Sequence, residues 1–302
     1  SAGYFVREGM DLIDLFIGQE GTLGVITEAE VSLGLKNRDS FAIILFFKDE
    51  AKGLEIVNKI KEISFLTRKG KISSNIDAVA IEYFDFYSLE LLRQKFSQIP
   101  EEIQSAILIE QEYAFDNKND IINDWVDFLD KKGIILENSW FSQTDKEKEF
   151  IRDFRHSLPE LINGVVKRNG FPKVGTDIAV PEEAFREMYK FYKVMLVGSD
   201  ISYIIFGHIG ENHLHVNILP ANETEFIKAK NIYTDLVGKA VGLGGTVSAE
   251  HGIGKLKYKY LEIMYGKEAV LEMAYLKKQI DPYLILGPGN IFPADLFKEL
   301  KT

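Results

Sequence analysis

Apolar and polar positions along this chain fall into short runs whose period keeps changing, and each change marks an element. Residues 41–47 are an unbroken apolar run and predict a buried strand. Residues 51–63 carry Leu54, Ile56, Val57 and Ile60 at helical spacing. A strand at 76–83, a helix at 85–96, a strand at 105–113, a helix at 119–129 and a short strand at 133–137 follow. The succession strand, helix, strand, strand, helix, strand is that of a split βαβ, ferredoxin-like unit.

A helix at 145–163 opens a second pass. A strand at 176–180 leads to a helix that has Pro181 in its first turn and runs to about Val197. Strands at 201–207 and 214–219 precede a helix at 223–241. Beyond about residue 245, two short helices lead to the Pro282 and Gly287–Gly289 turns, a tail that reads as packing on another element. The expected fold is α+β, a large and mostly antiparallel sheet with helices on one face.

Composition narrows the function. With 302 residues, 46% hydrophobic and 27% charged, the chain can bury a core of ordinary kind. A formal charge of −10 argues against nucleic acid as a partner. The absence of cysteine removes disulfides, thiolate metal sites and thiol nucleophiles. The apolar runs are too short to span a bilayer and no secretory signal opens the chain, so a cytoplasmic location is expected, peripheral to the membrane at most. Ser1 stands where a methionine would begin a complete protein, and a dense motif at 11–27 follows closely. The chain therefore reads as starting partway through a domain.

Four of the five histidines lie between positions 208 and 251. On an extended strand His213, His215 and Asn217 share one face, opposite Leu214, Val216 and Ile218. His208 precedes Gly210 and can return to the level of His215 across a hairpin. Imidazole and carboxylate suit a borderline divalent metal, and two histidines with Glu250 leave coordination positions open. The plainer alternative is a strand with a solvated polar face. Gly252 and Gly254 flank the Glu250–His251 pair and suit either a ligand or a surface turn. Gly254–Lys255 is no phosphate loop, because Ala249 and Leu256 stand at positions that need glycine and a hydroxyl residue. The loop Gly18–Gly24 can expose backbone N–H groups to a bound group. Arg155, on a predicted helix, is a surface residue or a carboxylate clamp, and His156 is structural.

Four ordered segments, 18–27, 207–217, 248–255 and 281–290, resemble the later half of the flavin-linked D-2-hydroxyacid dehydrogenases. That group comprises D-lactate dehydrogenase, glycolate oxidase subunit and D-2-hydroxyglutarate dehydrogenase among the vanillyl-alcohol-oxidase-type flavoproteins. The resemblance implies three segments: 1–36 and 245–302 belonging to an FAD-binding domain, and 37–244 forming a substrate-binding cap. It implies that Glu20, Gly21, Thr22, Leu23, Gly24 and Val25 line the FAD through backbone contacts. His208, His215 and Glu250 resemble ligands of a divalent metal, zinc or manganese, and His251 the general base. Arg155 resembles the substrate-carboxylate arginine, Asn217 a nearby polar contact and Lys173 a second carboxylate partner. Three departures stand out: His213 replaces an asparagine of the family pattern, Glu211 an aspartate, and Asn290 a lysine.

The implied reaction takes a small D-2-hydroxy acid, D-lactate or glycolate-like, to its 2-oxo acid by hydride transfer to FAD. A quinone, a carrier protein or another subunit would accept the electrons, and a homo-oligomer is compatible with the pattern. FAD binding would require the N-terminal portion that such enzymes carry before this segment. Two alternatives stay open at this point: a flavin-free metal hydrolase or lyase built on the His/His/Glu set, and a flavoprotein-like subunit without catalysis.

Overall fold

A computed structural model describes residues 2–33, 39–113, 117–134 and 139–300. They divide into two units, one joining Gly34–Thr176 to Leu196–Lys230, the other joining Ser1–Leu33, Asp177–Met195 and Asn231–Thr302.

The first unit is built on an antiparallel sheet. Its strands are β1 (Asp39–Phe47), β2 (Ala80–Asp85), β3 (Ser105–Tyr113), β4 (Trp140–Phe141), β5 (Val174–Gly175), β7 (Tyr203–Gly207) and β8 (His213–Ile218), and their order is β4-β1-β3-β2-β7-β8-β5. The first four stand in the 4-1-3-2 order of the expected ferredoxin-like unit. The strand expected at 133–137 falls largely on residues outside those described, and the fourth strand is seen at Trp140–Phe141.

Helices α2 (Glu50–Arg68) and α4 (Lys118–Lys131) lie on one face. There the Tyr83 hydroxyl donates to Glu50 at 2.6 Å and the Trp125 indole donates to Gln111 at 2.7 Å. The opposite face is covered as well, where helices on one face alone were expected. Leu89 and Leu92 of α3 (Phe86–Leu92) and Phe154, Leu158 and Ile162 of α5 (Asp145–Asn169) pack there on Ala42, Ile44, Phe84 and Leu108. The reason is visible in β1, where Ile43 and Leu45 bury on one face and Ala42 and Ile44 on the other, so both faces need cover.

α5 begins in a capping box between Thr144 and Glu147 and ends at Gly170, whose φ of 71° is left-handed. Near its start Lys148 donates to both oxygens of Asp39 at 2.7 Å, and the Tyr113 hydroxyl donates to the same carboxylate at 2.7 Å. Those two donors, Lys148 first, hold the Asp39 carboxyl down at about 2. A carboxyl depressed by folding contributes stability above its unfolded value of about 3.9 and loses it as pH falls through the folded one. Asp39→Asn is therefore expected to remove part of the acid-unfolding slope below about pH 4, as read by fluorescence, and an unchanged slope would deny the tie.

The second unit carries α1 (Leu12–Phe16), capped by Asp11, most of α6 (Phe185–Val197), the later part of α7 (Glu223–Gly242), and α8 (Tyr258–Ile280). The two C-terminal helices expected are longer than foreseen and join end to end in α8 at Gly266, which has a φ of 78°. The strand expected at 176–180 is reduced to the short β6 (Ile178–Ala179), which bridges to Thr246, with β5 ending before it at Gly175. Asp177 breaks it, because its backbone carbonyl accepts from Ala249 rather than joining a ladder. The Lys277 ammonium is buried and donates to the Thr22 and Leu286 carbonyls and to Asp281, at 2.8, 2.9 and 2.9 Å. The loop around Thr22 and the C-terminal tail are thereby fastened to α8. Among the described residues no helix is long and apolar enough to cross a membrane.

Candidate functional site

Strands β7 and β8 pair in antiparallel register, Phe206 opposite His215, through a short 3-10 turn at Ile209–Glu211. Gly207 allows the hairpin to close on its own histidine. Its φ is 127°, and a Cβ there would stand 2.9 Å from His215 Cδ2, closer than side chains pack. His208, His213 and His215 then gather at the end of the sheet. Their ring centroids are 5.5, 5.5 and 4.6 Å apart, and each offers a ring nitrogen within 4.8 Å of the others. Three imidazoles are a donor set that zinc or manganese accepts, so the cluster fits the expected metal in its chemistry.

Behind the histidines lies a carboxylate that the sequence reading had not singled out. Glu82 of β2 is buried, with one carboxylate oxygen 2.9 Å from His208 Nδ1, and the same oxygen accepts from Arg155. Burial opposes the Glu82 charge, but the His208 hydrogen bond and the Arg155 guanidinium outweigh it, and the carboxyl lies below the ordinary glutamate value. Arg155 also lies 3.9 Å from Glu110 and keeps about a third (34%) of its side chain exposed. On β8, Asn217 is buried and its amide nitrogen has no hydrogen-bond partner among the described residues. Lys173 stands on the exposed approach to β5.

The second unit organises the Glu250–His251 loop around Asp177. That carboxylate is buried and accepts from Ser248 Oγ at 2.7 Å, Glu250 N at 3.1 Å, His251 N at 2.9 Å and Lys257 Nζ at 2.8 Å. The main chain of the pair is thus fixed while both side chains stay exposed, Glu250 at 54% and His251 at 61%. Glu20, at a left-handed φ of 54°, turns its carboxylate onto the N–H groups of Ile253 and Gly254, each at 2.6 Å. Gly18 and Gly21 have φ of 77° and 72° with nothing within 4 Å of where a Cβ would stand. Within the 20–25 loop expected to meet FAD through its backbone, the Thr22 N–H is bonded to the Gln19 carbonyl at 3.0 Å and the Leu23 N–H to Gln19 Oε1 at 2.7 Å, so those two donors are already taken.

Of the expected site residues, the first unit therefore holds His208, His215, Asn217, Arg155 and Lys173. The second holds Glu250, His251 and the 20–25 loop. Glu82 and Asp177 were not singled out from the sequence, whereas His213 was placed on one face with His215 and Asn217 but given no role. Glu82 had one local signal, a lone acid between Ile81 and Tyr83.

Comparison with known proteins follows the same outline. The family model described as "FAD linked oxidases, C-terminal domain" matches residues 66–291. The chain is 29% identical to the glycolate oxidase subunit GlcD of Bacillus subtilis, over 97% of this chain and 59% of that protein. It is 26% identical to the mitochondrial D-lactate dehydrogenase [cytochrome] of Arabidopsis thaliana, over 94% of this chain and 48% of the relative. Thus the chain spans about half the length of the curated relatives it matches. In fold it is similar to p-cresol methylhydroxylase with substrate bound, at a TM-score of 0.56 and 13% identity, covering 84% of this chain and 52% of that one.

Proposed function

The chain belongs to the FAD-linked oxidases, as their C-terminal domain, and from that premise we propose that it supplies the substrate side of a D-2-hydroxyacid dehydrogenase. The substrate would be a small acid of the D-lactate or glycolate kind, oxidised to the 2-oxo acid, with electrons passed to a quinone or a carrier protein. Relatives named for glycolate and D-lactate support the class. The observation that carries the reading within this chain is the cluster of three histidines, His208 just after β7 and His213 and His215 on β8, with a buried carboxylate behind it. Membership in a flavin family weighs against the flavin-free hydrolase.

In this reading the segments 1–36 and 245–302 belong with an FAD-binding domain and 37–244 is the cap. FAD, when bound along the 20–25 loop, supplies the hydride acceptor. His208, His215 and Glu250 are the residues that would hold zinc or manganese, which supplies Lewis-acid polarisation of the substrate hydroxyl. His251 takes the hydroxyl proton at its imidazole, so that negative charge develops on oxygen as hydride leaves the neighbouring carbon. Arg155 and Lys173 bind the substrate carboxylate, and the Asn217 amide orients it. Support for Arg155 is its exposed third; support for Asn217 is its unsatisfied buried N–H.

The test is anaerobic flavin bleaching and dye reduction by glycolate, D-lactate and D-2-hydroxyglutarate, with this chain expressed in its full reading frame. One of these acids is expected to reduce the flavin, and Glu250→Gln is expected to lose bound metal while keeping the yellow colour. A flavin-loaded protein inert to all D-2-hydroxy acids would remove the reading.

A further inference from the structure

We infer that Glu82 is a positioning residue that fixes His208 as its Nδ1–H tautomer, presenting Nε2 as the nitrogen with which that histidine ligates a divalent cation. The inference rests on the metal reading above and adds to it the residue that makes one ligand competent.

Register puts the two together. β2 and β7 pair antiparallel with Tyr83 opposite Gly207 and Phe84 opposite Phe206, so Glu82 falls opposite His208 one step beyond the last pair. Phe84 and Phe206 on the same face belong to the apolar core, and Glu82 is the point at which that core gives way to polar groups. A carboxylate 4% exposed in such a place requires partners. It has two, Arg155 and His208, on one oxygen.

The donor in the His208 contact follows from this arrangement. An ionised carboxylate can only accept, and a guanidinium beside it favours the ionised form. The proton between Glu82 and His208 therefore sits on Nδ1, which leaves Nε2 as the one ring nitrogen able to offer a lone pair to a cation. Histidine ligands generally depend on such an outer partner for tautomer and ring orientation, and its loss weakens metal binding by about 10- to 100-fold. Arg155 then acts here through Glu82, neutralising a charge that would otherwise be buried alone.

The tautomer can be read on this chain without any metal, by long-range proton–nitrogen correlation of the imidazoles. Wild type is expected to show His208 protonated at Nδ1, and Glu82→Gln to shift His208 toward a mixture of tautomers. Zinc titrated calorimetrically into the same proteins is expected to bind wild type with an affinity about 10- to 100-fold above that of Glu82→Gln, with His215→Ala as the reference for a lost ligand. An Nε2–H tautomer of His208 in wild type overturns the inference, and so does equal zinc affinity in wild type and Glu82→Gln. If wild type binds neither zinc nor manganese while His208 is the Nδ1–H tautomer, the metal reading itself fails and the inference falls with it. Should Glu82→Gln unfold, Glu82→Asp, which keeps the charge but withdraws it, serves the same comparison.

Discussion

If His251 is the general base of the proposed reaction, His251→Asn in the flavin-loaded protein is expected to lower turnover of a D-2-hydroxy acid about 10²- to 10⁴-fold, the usual worth of a positioned general base. Hydride cannot leave the 2-carbon unless the adjacent oxygen is giving up its proton, and imidazole is the side chain whose unperturbed titration lies nearest neutrality. The loop geometry is compatible with the proposed role. His251 has its main-chain N–H fixed on Asp177 at 2.9 Å, while its side chain remains 61% exposed and makes no part of the core. Removing the imidazole should therefore leave folding and flavin absorbance as they were. Single-turnover bleaching of the flavin separates the chemical step from later electron transfer. Bleaching at the wild-type rate would show that the proton goes elsewhere.

How much of this was legible beforehand depends on the range of the interaction. The apolar run from Phe41 to Phe47, the periodic Ile56, Val57 and Ile60, and the alternation of His213, His215 and Asn217 are local patterns, and each became the element its period implied. The 4-1-3-2 strand order followed because the succession of elements allows few topologies. Pairings between distant residues carried no such signal. Glu82 and His208 are separated by 126 positions, and Asp177 and His251 by 74. Nothing in the segment around Asp177 distinguishes an anchor from a strand residue until its partners are in place. Glu20 was expected to meet FAD through its backbone, and its side chain has the further task of capping two N–H groups next to Gly252. Arg155 was read for its charge alone, which could not reveal that a buried acid already claims part of it.

Asp177→Ala is expected to cost about 3–5 kcal/mol of stability, the usual penalty for breaking a buried ion pair from one side. Asp177 is 2% exposed in its side chain and Lys257 16%, so the ammonium left behind has little water to turn to. The same change also strips acceptors from Ser248 Oγ and from the N–H groups of Glu250 and His251. Urea denaturation should show the midpoint falling, and amide exchange should show residues 249–251 losing protection first. Asp177→Asn keeps the shape and one acceptor oxygen but not the charge, and should fall between wild type and alanine. Adding Lys257→Met to the alanine variant should restore part of the loss, because the stranded charge is gone while the loop donors remain unpaired. Recovery in the double variant with continued loss of protection at 249–251 would separate the ion pair from the loop anchor. An alanine variant within about 0.5 kcal/mol of wild type would mean that Asp177 holds neither.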